Sequence, residues 1–238
     1  MTDLHTHILP GMDDGAPDAE ASLAMLREEA AQGVDTVALT PHFYRDREEP
    51  EHFLSRRARA WEQLNERLSS LSEAQRAALP QTALGAEVAW VPNLGAMPEL
   101  SRLCLGESRY FLLELPFYPW DAQLLRQLYE LPDRTGLTPV LAHLERYFRV
   151  QKREHLEEVL SMDFPVQVSA APLLRLTQRA LPLRMLASGQ AQLIASDAHN
   201  MTARAPDLGP AMQLIAKKLG AQRAEAAGAF ADALLRPA

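Results

Sequence analysis

The 238-residue chain is nearly without cysteine: Cys104 is the only one. An intrachain disulfide is therefore excluded, and a reducing compartment is the expected setting. The neighbours of Cys104, Arg-Leu-Cys-Leu-Gly, are mostly apolar and include no histidine. That setting favours a buried structural thiol over an activated nucleophile. Long apolar runs are also missing. No stretch reaches the length of a bilayer span, and the N-terminus carries neither a basic n-region nor an apolar h-region, so a soluble cytoplasmic protein without membrane insertion is expected. Extended basic runs are absent and the formal charge is -7, which argues against general affinity for nucleic acid or an anionic surface. Neither a low-complexity tail nor a clear linker divides the chain, so residues 1–238 are expected to form one domain.

What is present suits a large buried core, since 47% of the residues are hydrophobic. Short apolar or β-branched runs at 34–40, 82–88, 109–115, 138–142, 166–170 and 191–196 follow a strand-like opening stretch and read as buried strands. Between them lie helical patterns at 19–32, 47–79, 121–131 and 152–162, a mixed stretch at 173–188, and Ala-rich helices at 207–219 and 221–235. In the first helix, Leu23, Leu26 and Ala30 are spaced for one buried face and Gly33 ends the run. Phe53, Trp61, Leu64 and Leu68 form another such stripe, which reads as core. Strands alternating with crossover helices predict a parallel α/β sheet, and the length favours a distorted seven-stranded (β/α)7 TIM-like barrel. Active sites of such barrels lie at the C-terminal ends of the strands.

The polar residues gather at those ends. His5 and His7, two apart on an extended segment, project to one side and can share a metal ion; alternatively, they belong to a plain surface strand followed by an Asp-Gly turn. Asp13 and Asp14 lie in that turn, where one can bring an oxygen back over the strand end. His42 follows Thr40-Pro41 at the end of the next run. Glu87 and Glu114 lie within or at the ends of apolar runs. A buried carboxylate such as Glu114 needs a cation, a hydrogen-bonding partner, a salt bridge or a raised pKa. His143 and the pair Asp197 and His199 complete a set spread over six strand ends. Mixed imidazole and carboxylate ligation suits Mn, Fe or Zn, and eight or nine donors can hold two or three ions, an arrangement suited to cleaving phosphate esters. Tyr44, Tyr118 and Trp120 either line the mouth or pack its loops.

Taken together, His5-x-His7 with Asp-Asp-Gly, Thr-Pro-His42, Gly-x-Glu87, Glu114, His143-x-Glu-Arg146-Tyr and Ser-Asp197-x-His199-Asn resemble the polymerase and histidinol phosphatase (PHP) superfamily. More closely, they resemble its bacterial manganese-dependent protein-tyrosine phosphatases of capsule and exopolysaccharide synthesis. The resemblance implies a trinuclear site in a distorted seven-stranded barrel. His5, His7, Glu87 and Asp197 would bind one ion. Glu87 would bridge to a second, held also by Glu114 and His143, and Asp14, His42 and His199 would bind the third, with Asp14 preferred over Asp13. Arg146 and Arg204 match the phosphate-binding arginines of these relatives, and Asp197 or His199 would assist proton transfer. The implied cofactor is Mn2+, with Fe or Zn as substitutes. The implied partner is a tyrosine-phosphorylated protein, in particular a bacterial tyrosine kinase that controls polysaccharide assembly. No cysteine nucleophile is required. A small-molecule phosphoesterase such as a histidinol-phosphate phosphatase, or a non-catalytic metal-binding regulatory module, is the alternative. The Ala-rich C-terminal helices suit either core packing or a homo-oligomer. The stretch Val166-Gln-Val-Ser-Ala-Ala-Pro172 departs from the relatives, which carry more hydroxyl or amide groups there.

Overall fold

The first strand, β1 (Thr2–Thr6), is buried at every position, so it must be covered on both faces and paired on both edges. The computed structural model, which describes residues 1–237, shows how. Ala238, the last residue of the expected 1–238 unit, lies outside the described residues. After β1, Asp18 accepts from Ala21 N and caps α1 (Ala19–Ala31). The chain then forms β2 (Thr36–Leu39), parallel to β1 with Asp3 opposite Val37. Pro41 has no N–H to continue the ladder. The strand resumes as the two-residue β3 (His42–Phe43).

Pro50 opens α2 (Pro50–Ser69), and a capping box at Ser72 and Gln75 starts α3 (Glu73–Ala77), so the helical stretch expected at 47–79 is two helices. The run expected at 82–88 is likewise split by Gly85 and Ala86 into β4 (Gln81–Leu84) and β5 (Glu87–Ala89). Two 3₁₀ segments, Leu94–Ala96 and Pro98–Leu103, lead to β6 (Tyr110–Glu114). The remaining order is α4 (Ala122–Thr135), β7 (Thr138–Leu141), a 3₁₀ segment Leu144–Arg149, α5 (Arg153–Leu160), β8 (Gln167–Ser169), α6 (Ala170–Leu174), α7 (Ala180–Ser188), β9 (Leu193–Ala195), α8 (Leu208–Leu219) and α9 (Ala221–Leu234).

All strand pairs are parallel, in sheets ordered β1-β2-β4, β3-β5-β6-β7 and β8-β9. Isolated parallel bridges, Thr6 to Ala198 and Leu141 to Val166, connect the sheets. The fold is therefore α/β with parallel sheets, in nine strand segments among the described residues. Most strands bury both faces, as parallel sheets between helices do, while β4 stays partly exposed. Leu4, Ala38, Leu112, Val140 and Leu193 cluster on one face with Ala231 and Leu234 of α9, while Val37, Leu39, Phe111, Leu113 and Leu141 join the larger core of the helices. The small side chains of α9 thus pack against this chain's own strands. Cys104 is buried and burial pushes its thiol up to about 11, the behaviour of a structural cysteine. Among the described residues no helix is long and apolar enough to cross a membrane.

Candidate metal centre

His5 and His7 are both fully buried, and their Nε2 atoms lie 3.2 Å apart. Each ring is oriented by a partner on its other nitrogen. His5 Nδ1 donates to Gln167 Oε1 at 3.3 Å, and His7 Nδ1 donates to Asp13 Oδ2 at 2.8 Å. His199 Nδ1 donates to the backbone oxygen of Asp197 at 2.9 Å. With Nδ1 carrying the proton, all three rings turn an Nε2 lone pair inward, which is how a second layer of partners prepares histidines for a metal.

The turn after β1 is fixed by the same contacts. Asp13 Oδ2 also accepts from His42 N at 2.9 Å, and Oδ1 accepts from Gly15 N at 3.0 Å. The adjacent Asp14 is 64% exposed on its side chain, and its Oδ1 stands 3.5 Å from His42 Nε2 and 3.4 Å from His199 Nε2. Asp13 and Asp14 therefore divide the work: one holds the turn and the His7 ring, and the other faces two imidazoles.

The broken strands place the next donors. His42 and Glu87, each the first residue of a resumed strand, are register partners. Glu87 is 1% exposed; its Oε1 lies 2.8 Å from His143 Nε2. Its Oε2 lies 2.8 Å from His42 Nδ1, 3.3 Å from His5 Nε2 and 3.5 Å from His7 Nε2, yet none of these contacts is aligned as a hydrogen bond. Glu114, at the end of β6, has Oε1 3.6 Å from His143 Nε2. Burial and the Glu87 charge push Glu114 up to about 7. His143 and Asp197 sit at strand ends with left-handed φ of 35° and 57°. For residues other than glycine such backbones cost about 1–3 kcal/mol each and cluster at functional sites.

Three donor sets have one atom from every member within 4.8 Å of the others: His7, Asp14, His42 and His199; His5, His7 and Glu87; and His42, Glu87 and Glu114. His143 and Asp197 lie outside these sets but touch them, Asp197 Oδ1 being 3.5 Å from both His5 Nε2 and His7 Nε2. The carboxylate of Asp197 is mainly engaged by the two arginines. Arg146 Nη2 contacts Oδ2, and Arg204 Nη2 donates to both oxygens at 2.9 Å. Every sequence-expected site residue is thus in one neighbourhood.

Its chemistry fits divalent cations. Burial alone would depress His5 and His7, but the surrounding carboxylates, Glu87 and Asp197 for His5 and chiefly Asp13 for His7, raise both; the same negative field attracts a cation. Burial holds His143 and His199 down at about 4, so both are neutral imidazoles with a lone pair to offer. Glu87 Oε2, His42 Nδ1, His143 Nδ1 and His199 Nε2 are buried without a hydrogen-bond partner, an arrangement that is costly unless a cation satisfies the inward-facing atoms.

Sequence reasoning missed Gln167 as a positioning residue. Besides His5, its Oε1 accepts from His143 N at 2.8 Å, tying two donors together from the strand expected to depart from the relatives. An amide set between two valines was the available signal. Glu145 was also missed; its Oε1 accepts from Ser169 N at 3.2 Å beside Arg146.

The family model for capsular polysaccharide synthesis, CpsB/CapC, matches residues 1–230. The chain is 30% identical over 242 residues to the tyrosine-protein phosphatase YwqE of Bacillus subtilis, covering 99% of this chain and 92% of that protein. A chain from the crystal structures of YwqE from Bacillus subtilis and CpsB from Streptococcus pneumoniae, unique metal-dependent tyrosine phosphatases, is similar with a TM-score of 0.84 and 28% identity, covering 99% of this chain and 94% of that one. Histidinol phosphate phosphatase from Lactococcus lactis, complexed with Zn, L-histidinol and phosphate, shares the fold alone, with a TM-score of 0.52 and 12% identity over 94% of each chain.

Proposed function

From the premise that the chain belongs to the CpsB/CapC capsular polysaccharide synthesis family, we propose that it is a metal-dependent protein-tyrosine phosphatase that hydrolyses phosphotyrosine directly. One observation supports this reading most: imidazole and carboxylate donors from six strand ends meet beside two arginines, and four of their atoms, Glu87 Oε2, His42 Nδ1, His143 Nδ1 and His199 Nε2, are buried without a hydrogen-bond partner. In this reading His5, His7, Glu87 and Asp197 hold one ion. Glu87, Glu114 and His143 hold a second, and Asp14, His42 and His199 hold a third. Manganese suits these nitrogen and oxygen donors, and iron or zinc can take the same ligands. When bound, the ions supply Lewis acidity, offsetting phosphate charge and lowering the pKa of the attacking water.

The chain's own residues do the rest. The planar guanidinium groups of Arg146 and Arg204 exchange Asp197 for phosphate oxygens and stabilise the charge that develops as the ester bond breaks. Phenolate leaves without a strong general acid, with Asp197 or His199 assisting proton transfer. The substrate is a tyrosine-phosphorylated protein, and a bacterial tyrosine kinase of polysaccharide synthesis fits the family. The reading includes one domain over residues 1–238 in the cytoplasm. Its architecture is a distorted seven-stranded (β/α)7 barrel, in which β2 with β3 and β4 with β5 each count as one strand and the two isolated bridges link the sheets into a cycle. A homo-oligomer is not needed, because α9 buries its small residues within the chain.

The test compares metal-stripped protein with and without added Mn2+ on a phosphotyrosyl peptide and on histidinol phosphate, for wild type and His7→Ala. Activity on the peptide is expected to return with Mn2+ and to be lost in the folded variant. Preference for histidinol phosphate, or no turnover with any divalent metal, would sink the proposal.

A further inference from the structure

A second concave feature adjoins the metal centre. The cleft has a volume of about 500 Å³, and its lining includes Phe117, Arg146, Arg149, Pro172, Gln178 and Leu181. One wall is the 3₁₀ segment Leu144–Arg149 that follows β7; the other is the turn between α6 and α7 with the start of α7. Arg146 belongs to both features. Its guanidinium contacts Asp197 in the centre, while the residue also forms part of the cleft wall. A phosphate ester held by Arg146 therefore has the cleft as its neighbouring surface.

The cleft's chemistry is that of a peptide site. Phe117 is 50% exposed, yet its ring stacks on the buried Tyr147 at a centroid distance of 5.0 Å. An exposed aromatic held in one orientation presents apolar surface with little entropy left to lose on binding. Leu181 and Pro172 add apolar surface. Arg149 supplies an exposed positive charge, and unlike Arg146 and Arg204 it forms no ion pair among the described residues. Glu145 is the only acid in the lining, and it is buried against Ser169 N. The chain's net charge is -7, yet the lining of this cleft carries two arginines against one buried acid. A small phosphate ester bound at the metals would leave it unused, since clefts of this size hold a whole ligand by themselves.

Resting on the phosphatase reading above, we propose that this cleft binds the polypeptide flanking the phosphotyrosine, seating an apolar side chain against Phe117 and Leu181 and an acidic side chain at Arg149. Peptide sequence beside the phosphotyrosine is then read by the protein, and free phosphotyrosine is a substrate that forgoes that part of the binding.

The experiment measures kcat and KM on free phosphotyrosine and on two phosphotyrosyl peptides, one with leucine and glutamate beside the phosphotyrosine and one with that glutamate changed to lysine. Wild type and Arg149→Glu are compared, both loaded with Mn2+; Arg149 is exposed, so the substitution spares the fold. We expect KM for the glutamate peptide to rise on the order of tenfold in Arg149→Glu. The lysine peptide should recover that loss, and free phosphotyrosine should be unaffected. Equal KM values for wild type and variant on both peptides would overturn the cleft assignment. So would an equal loss on peptide and free phosphotyrosine, which would move Arg149 into the reactive centre. A wild-type protein inactive on all three substrates would instead remove the phosphatase reading, and the cleft's role with it.

Discussion

Gly15 has no space for a side chain. A Cβ there would lie 2.0 Å from the backbone oxygen of His7 and 2.5 Å from the His7 Cβ. The turn closes directly onto the histidine whose ring it orients, since Gly15 N donates to Asp13 Oδ1 and Asp13 Oδ2 holds His7 Nδ1. Gly15→Ala should therefore open the turn and release both Asp13 and Asp14. Loss of second-layer support of this kind typically weakens metal binding about 10–100-fold. Titration of Mn2+ into stripped protein measures it, with circular dichroism to verify folding, and wild-type affinity in the variant would refute the argument. Donor types and spacing were enough to mark His5, His7 and the Asp-Asp-Gly turn. Which aspartate faces the imidazoles depends on how the turn folds back against His7, and adjacent residues of one type carry no signal of that.

At the scale of elements, α1 carries more than the Leu23 and Leu26 face that periodicity marks. Glu29 on the same helix is fully buried, with neither side-chain oxygen hydrogen-bonded. Burial, and then the charges of Asp3 and Asp207, push its carboxyl up to about 10. Asp207 is raised to about 7 and Asp3 to about 6, in each case mainly by burial. The sign of the effect on stability follows. The unfolded chain releases the Glu29 proton near 4.5, whereas the folded chain keeps it to about 10. Stability therefore falls as pH rises between those values. Glu29→Gln cannot ionise, so its stability relative to wild type should increase from pH 5 to pH 8, by up to about 4 kcal/mol. Denaturant unfolding across that range provides the check, and parallel pH profiles would contradict it. Periodicity overlooked Glu29 because it scores apolar spacing, and a neutralised carboxyl looks like a charge in sequence. Strand positions were legible from apolar runs, and Pro41 marked one break. Gly85, a residue that weakens a strand interior, was the signal for the other, although spacing alone does not tell a bulge from a full break.

For the whole molecule, the donors bridge seams between sheets. His5 and His7 belong to the sheet of β1, or follow directly from it. His42, Glu87, Glu114 and His143 are on or just beyond the sheet of β3, β5, β6 and β7, and Asp197 and His199 follow β9. Between these sheets run the isolated bridges Thr6 to Ala198 and Leu141 to Val166. Bound ions would thus cross-link parts of the fold that share few backbone hydrogen bonds, and they would offset the mutual repulsion of Glu87, Glu114 and Asp197. Binding to the folded state alone stabilises it by mass action, about 2.7 kcal/mol when free metal is at 100 times the Kd. In a chain of this size each kcal/mol moves Tm by about 2–4 °C. Stripping the metal should lower Tm by roughly 5–10 °C, and Mn2+ should restore it in wild type. Calorimetry on His7→Ala distinguishes site binding from a general salt effect: the variant should lose the Mn2+ response while still unfolding in one transition. A full wild-type response in that variant would mean that the ions stabilise the protein somewhere other than at these strand ends.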